Sequence, residues 1–423
     1  MMTGLDPGLE REAFAIRAID QHAHPVPVGG EPKGDPDRPL QPYGVTLPLR
    51  MRLDNPEYLD AWAALWGYTE PDWSLSRLRE LMARKEALIE GKGVGYNAWI
   101  LDKLNIETMI AIAPGPSASE AAPHFRWCAF SDWFLWPFPM SEVNPSGMAR
   151  MYRATNDRFC KGAASGERPP SLDRYVEEVM LPTLALYKEQ GAVGLKFHGP
   201  YNRSLAFDLV EEPEARRLYL NGIRDGALRG SDHKALQDFL FERLVREAGR
   251  IGFVVQMHTG LGLKQGFVIA GSNPLLMERL IRAVPGTRFV LLHGGWPFVI
   301  ETVALLTNKN VYTDFSCANL YQYPRSLSRQ IRAALEWHPE KLLYGTDAYS
   351  DRSIGMLGGM EPLANPLAGW EEKAWLMDRA GRTALALALS GMREDGELTS
   401  GQAEARLAQV MRTTAIDLYR LET

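Results

Sequence analysis

Across 423 residues the chain carries 45% hydrophobic and 23% charged side chains, ample material for a buried core and too apolar for a disordered segment. Its 47 basic and 52 acidic residues leave a net charge of -5 with no dense Lys/Arg block, which argues against a nucleic-acid partner. The acidic start MMTGLDPGLEREAF lacks the basic head and apolar centre of a signal peptide, and no apolar run is long enough to span a bilayer. Cys128, Cys160 and Cys317 are odd in number and far apart, which argues against a disulfide framework and against a cysteine-based zinc site. The expectation is a cytoplasmic protein acting on a small molecule, without nucleic acid or membrane, and with a homo-oligomer left open.

In chain order, aliphatic or β-branched runs bounded by Gly, Pro or polar residues predict strands at 15–21, 107–113, 125–130, 192–197, 252–257, 288–292, 311–315 and 342–345. Apolar periodicity of helical length predicts helices at 171–190, 234–250, 274–284, 298–307 and 326–336, and two more over 370–421. Strands alternating with helices imply a parallel sheet, because parallel neighbours need a crossover connection. Eight such units close into a (β/α)8 TIM barrel, read as a single domain over 1–423 with the last helices packed outside the wall. Two insertions break the rhythm, at about 25–105 after the first strand and about 131–170 after the third. Both follow strands and so belong at the C-terminal face, where barrel enzymes do their chemistry. Their aromatic residues, Trp62, Trp66 and Tyr68 in one and Trp133, Phe134, Trp136 and Phe138 in the other, either pack into cores of their own or form a wall over a substrate.

The histidines carry the functional argument. His22 and His24 stand two apart at the end of the first strand, in IDQHAHPV, so the strand period directs both to one side. His198 ends GLKFH, His258 ends FVVQMH, His293 ends FVLLH and Asp347 ends LLYGTD. A closed barrel brings such strand ends to one centre, and imidazole with carboxylate suits zinc and its neighbouring divalent metals. Lys196 alternates with His198 across Phe197 and faces the same centre. Arg203, in GPYNRS, is either a bidentate carboxylate clamp or an ordinary surface arginine; Tyr201 and Trp296 are further candidates to line the pocket.

The ordered set QHAHP, GLKFH, MHTGLG, LLHGGWPF and LLYGTDA resembles the amidohydrolase superfamily, in the mononuclear branch that includes relatives of aminocarboxymuconate semialdehyde decarboxylase. The stretch 257–315 looks like the amidohydrolase-like domain fused to glutamine-synthetase-like sequences in fungi and plants. This resemblance implies one divalent metal, zinc or else manganese, held by His22, His24, His258 and Asp347. Asp347 would also accept a proton, and His293 would act beside the metal. Binuclear relatives bridge two metals with a carboxylated lysine on the fourth strand. Mononuclear ones have a similar Lys-x-His end without the bridge, so an unmodified Lys196 is expected to contact substrate together with His198. The implied activity is hydrolysis of an amide, lactone or similar bond in a small carboxylate-bearing substrate. The alternatives are decarboxylation of an unsaturated or aromatic acid, a uronate-isomerase-like reaction, and a non-catalytic binding barrel.

Overall fold

The computed structural model describes residues 2–28, 30, 46–52, 55–70, 74–118, 120–121, 123–141, 147–163, 166–263, 266–350 and 369–422. All eight predicted strands form: β1 Ala18–Ala23, β2 Ile106–Ala113, β3 Phe125–Phe130, β4 Ala192–Phe197, β5 Val254–Met257, β6 Arg288–Leu291, β7 Val311–Asp314 and β8 Leu342–Leu343. They lie in the order β1 to β8 with every neighbouring pair parallel. The seam between last and first strand is closed by Gln21 N–H to the Tyr344 carbonyl at 3.1 Å, Asp347 N–H to His22 at 2.7 Å and His24 N–H to Ala348 at 2.7 Å. The fold is a (β/α)8 barrel.

The helices between the strands follow the expected positions at Leu181–Glu189, Gly230–Arg250, Glu278–Ala283, Val299–Leu305 and Pro324–Trp337. One boundary differs from expectation. Residue 15 ends a helix, Pro7–Ala15, and does not begin a strand. Asp6 caps that helix by accepting from the Gly8 and Leu9 N–H groups, and Pro7 at its first turn is pre-set for helical φ. The Glu212–Asp225 helix was not anticipated either; it opens with a proline in its first turn and is stopped by Gly226 in the left-handed conformation.

The first insertion contributes the helices Glu57–Trp66, Leu75–Lys92 and Tyr96–Lys103, and the second contributes Gly147–Gly162. Trp62, Trp66 and Tyr68 are buried with Tyr58, Tyr96 and Ile100 in a core that the insertion shares with β2, Tyr349 and the Trp370–Glu394 helix, and Trp66 also donates to Glu372 at 3.2 Å. Trp133 stacks between Phe134 and Phe159, and Trp136 packs against Tyr152 and His233. These residues are buried in the packing between the loops and the barrel.

The tail packs as the long helix Trp370–Glu394, followed by Ser400–Ala408 and Thr414–Tyr419. The last of these does more than lie against the wall. Ala415, Leu418 and Tyr419 join Ile19, Ile110, Val254, Val290 and Leu343 in one apolar cluster, and Arg288, at the start of β6, donates to the Leu418 carbonyl. The helix thus closes the barrel at its N-terminal end, opposite the strand ends that carry the histidines.

Candidate metal centre

At the C-terminal mouth the strand-end residues converge. His22 Nε2 lies 3.1 Å and His24 Nε2 3.3 Å from the same Asp347 oxygen, Oδ1, while His293 Nε2 stands 3.9 Å from Oδ2. Ligating atoms of His22, His24 and Asp347 fall within 4.8 Å of one another, as do those of His293, Cys317 and Asp347. His258 stands beside this group, its Nδ1 3.0 Å from His293 Nε2 and its ring 6.3 Å from that of His198. His198 in turn stacks on His24, with centroids 5.8 Å apart.

The backbone is bent to achieve this. His293, Cys317 and Asp347 sit just past β6, β7 and β8 with φ of 68°, 56° and 59°, a left-handed conformation that costs a non-glycine residue roughly 1–2 kcal/mol. Strain of this kind at three consecutive strand ends turns the side chains inward over the mouth. Gly260, following His258, has φ of +72°, and a Cβ there would meet the Trp296 carbonyl at 2.2 Å. Only glycine lets the loops after β5 and β6 approach this closely.

The hydrogen bonds beneath the ligands fix their tautomers. Gln256 donates through Nε2 to the Gln21 carbonyl at 2.7 Å and to the Tyr419 hydroxyl at 2.8 Å, which leaves its Oε1 to accept from His22 Nδ1 at 2.8 Å. His22 Nε2 therefore presents a lone pair to the Asp347 carboxylate, so two acceptors face each other at 3.1 Å. Something positive belongs between them. A proton on His22 is disfavoured, because burial, with the Lys196 charge adding to it, drives the imidazole well below its ordinary range. Burial likewise holds His258 well below that range and brings His293 down to about 4. For Asp347 burial pushes upward, and positive charge at the surrounding imidazole nitrogens, His22 foremost, is what would hold its carboxyl well below the usual carboxylate range; with His22 neutral, a bound cation would supply that charge. Neutral imidazoles around an anionic carboxylate match what a divalent cation requires. His258 Nε2, buried and without a hydrogen-bond partner among the described residues, is a further lone pair suited to such an ion.

Buried carboxylates brace the cluster. Asp314 accepts from the His293 N–H at 2.6 Å and from Gln21 Nε2 at 2.5 Å; Asp20 accepts from Thr346; Asp132 accepts from the His198 N–H at 2.8 Å. Burial pushes Asp314 up to about 6, and Asp20 and Asp132 up to about 7. None of these braces, nor Gln256 or Cys317, was singled out from the sequence. Gln256 had a usable signal, since it precedes His258 by two in VVQMH and shares its face of the strand. Cys317 lacked one: it became a neighbour of Asp347 only through the turn after β7.

Among the expected substrate contacts, Lys196 is fully buried with Nζ 3.4 Å from His22 Nε2, and burial brings its ammonium down to about 8. It belongs to the cluster. Tyr201 packs on His258 with centroids 4.8 Å apart, and Phe130 meets His198 edge-on at 4.6 Å. Trp296 is half-buried and faces Tyr321 at 6.1 Å. Arg203 requires a correction: its guanidinium is held by Asp238 at 2.5 Å, by Gln237 and by two backbone carbonyls, and lies over the Phe207 ring. The 3-10 turn Gly199–Tyr201 breaks the strand alternation before residue 203, so strand period no longer sets where this arginine points. A cavity of about 820 Å3 adjoins the cluster, lined by His24 and Tyr349 on one side and by the Gly147–Gly162 helix on another.

Fold and site together define a (β/α)8 barrel with a donor set for a divalent metal at its C-terminal mouth. The chain belongs to the amidohydrolase family, whose model matches residues 138–421 and therefore well over half of it. Protein fluG of Emericella nidulans is 28% identical over 169 residues, a stretch that covers 40% of this chain but only 17% of fluG. Among solved structures, glucuronate isomerase from Caulobacter crescentus superposes with a TM-score of 0.66 at 13% identity, covering 100% of this chain and 96% of that one. A candidate metal-dependent hydrolase from Lactobacillus casei ATCC 334 superposes with a TM-score of 0.58 at 16% identity, covering 97% of each chain. At these identities the likeness is one of fold. Family and donor set together imply a divalent metal. Among the described residues no helix is long and apolar enough to cross a membrane.

Proposed function

We propose that this protein is a metal-dependent hydrolase that cleaves an amide, lactone or similar bond in a small carboxylate-bearing molecule, with one divalent ion, zinc in the first instance, held by His22, His24, His258 and Asp347. The observation that carries this reading is the pair of imidazole nitrogens, His22 Nε2 and His24 Nε2, aimed at one carboxylate oxygen with burial keeping His22 neutral. A bound divalent ion supplies Lewis acidity, polarising a carbonyl and lowering the pKa of a coordinated water to about 7. The remaining work falls to side chains. Asp347, anionic and at the centre, takes up the proton of the attacking water. His293 keeps Nδ1 turned to the Ser316 carbonyl and hydroxyl at 3.1 and 3.0 Å, which leaves Nε2, 3.0 Å from His258 Nδ1, as the basic nitrogen, a candidate to take up a proton beside the metal ligands. Lys196 lends positive charge to the same spot.

Elemental analysis of the purified chain should find about one divalent ion per molecule, and a screen over N-acyl amino acids, lactones and aromatic acids should return a hydrolysis product. Asp347→Asn should keep the fold and lose at least about a hundredfold in turnover, because an amide cannot take up the proton. Two tightly bound ions bridged by a modified Lys196 would replace the mononuclear assignment. Release of CO2 from an acid substrate, without hydrolysis elsewhere in the screen, would move the protein to the decarboxylases.

A further inference from the structure

The turn after β7 is built around one strained residue. Cys317 has φ of 56° and ψ of -42°, and the Ala318 N–H folds back onto the Ser316 carbonyl at 2.5 Å. A hydrogen bond that spans a single residue at positive φ makes a γ-turn of the rare, strained hand. With the chain bent there, both polar groups of the fully buried Ser316 reach one nitrogen: the carbonyl lies 3.1 Å and Oγ 3.0 Å from His293 Nδ1. Each neutral imidazole carries one N–H and one lone pair, so these contacts place the protons. A carbonyl only accepts, and the Ser316 hydroxyl meets the Asp314 carboxylate, which leaves Oγ to accept at Nδ1 as well. His293 therefore carries its proton on Nδ1 and a lone pair on Nε2. That lone pair lies 3.0 Å from His258 Nδ1, so His258 donates to it and keeps its own proton on Nδ1. What remains is His258 Nε2, unprotonated, buried and without a hydrogen-bond partner among the described residues.

We propose that the strained turn at Cys317 is a positioning device for the metal centre: through the Ser316 carbonyl it fixes the tautomer of His293, and His293 in turn holds His258 with its proton on Nδ1 and a lone pair on Nε2. This rests on the reading above that His258 is a metal ligand, and it gives His293 a task in the resting site. An imidazole binds an ion through an unprotonated nitrogen, and one whose other nitrogen is pinned by an acceptor is both oriented and more basic. Local spacing does not show the relay. His258 follows β5, His293 follows β6 and Ser316 follows β7, and only the parallel order of those strands sets the three turns side by side.

The test is nitrogen NMR of the full-length chain, isotopically labelled at its histidines, before and after zinc is added, together with zinc affinity by chelator competition. Before zinc is added, His293 and His258 should both carry the proton on Nδ1. His293→Gln keeps an acceptor for His258 and should preserve that tautomer and most of the affinity. His293→Phe removes the acceptor, and should move the His258 proton to Nε2 and weaken zinc binding by about 10- to 100-fold. Ser316→Ala deletes the hydroxyl and leaves the turned carbonyl, so His293 should keep its proton on Nδ1 there. A wild-type chain with the proton on Nε2 of either ring, or a His258 signal that ignores His293→Phe, would overturn the proposal. So would loss of the His293 tautomer in Ser316→Ala, which would give the task to the hydroxyl and not to the turn. Tautomers that behave as expected in a chain that binds no stoichiometric zinc would support the relay and sink the metal-hydrolase reading.

Discussion

At the scale of single residues, the centre depends on one tautomer. His22 can offer Nε2 because Nδ1 is committed to Gln256, and Gln256 is itself oriented by Gln21 and Tyr419. Partners of this kind set both ring angle and ligand basicity, and their loss typically weakens metal binding by about 10- to 100-fold. Gln256→Leu should therefore lower metal affinity by that order in a chelator competition, while Gln256→Glu, which still accepts from Nδ1, should retain most of it. Unchanged affinity in the leucine variant would mean that the imidazole holds its orientation without help. The same scale explains why the convergence of His22, His24 and Asp347 was legible in the sequence and the setting of Arg203 was not. A histidine ending an aliphatic strand is placed by the strand alone, whereas Arg203 is placed by Asp238, thirty-five residues further on, which local spacing does not register.

At the scale of elements, the eight strands were legible because each aliphatic run ends abruptly at a polar ligand or a turn residue. The Glu212–Asp225 helix was harder to read for a physical reason. Its Leu220 and Ile223 face solvent at 53% and 39% exposure, which blurs the apolar stripe that Ala215, Leu218 and Tyr219 would otherwise make. The aromatics of the first insertion were ambiguous, although Tyr58, Trp62, Leu65 and Trp66 are spaced as one buried helical face and pack accordingly. The turns that follow the strands carry the tightest constraint. Gly260→Ala should cost more than about 2 kcal/mol, combining a strained left-handed φ with a clash against the Trp296 carbonyl. Urea titration of the variant checks this, and a loss under about 0.5 kcal/mol would show that the two loops can part without penalty.

At the scale of the whole molecule, the tail is bound to the front of the barrel by polar groups as well as by packing. Arg382, fully buried on the Trp370–Glu394 helix, pairs with Asp378 at 2.7 Å and donates to the carbonyls of Ala13, Ile16, Leu104 and Asn105. It thereby ties the amino-terminal helix and the entries to β1 and β2 to one residue. Arg382→Met should destabilise the protein by about 3–5 kcal/mol, since Asp378 loses its ionic partner and four carbonyls lose a donor inside the fold. A melting temperature within about a degree of wild type would mean that the tail is held by its apolar contacts alone. The closing of the barrel floor by Thr414–Tyr419 bears on the order in which a nascent chain can become an enzyme. The histidine pair leaves the ribosome first, but its carboxylate partner is residue 347 and the hydroxyl that steadies its clamp is residue 419. Until Thr414–Tyr419 has been synthesised and has packed beneath the strands, His22 and His24 belong to an unfinished vessel, and an ion held between them and Asp347 would be captured only after that helix has emerged.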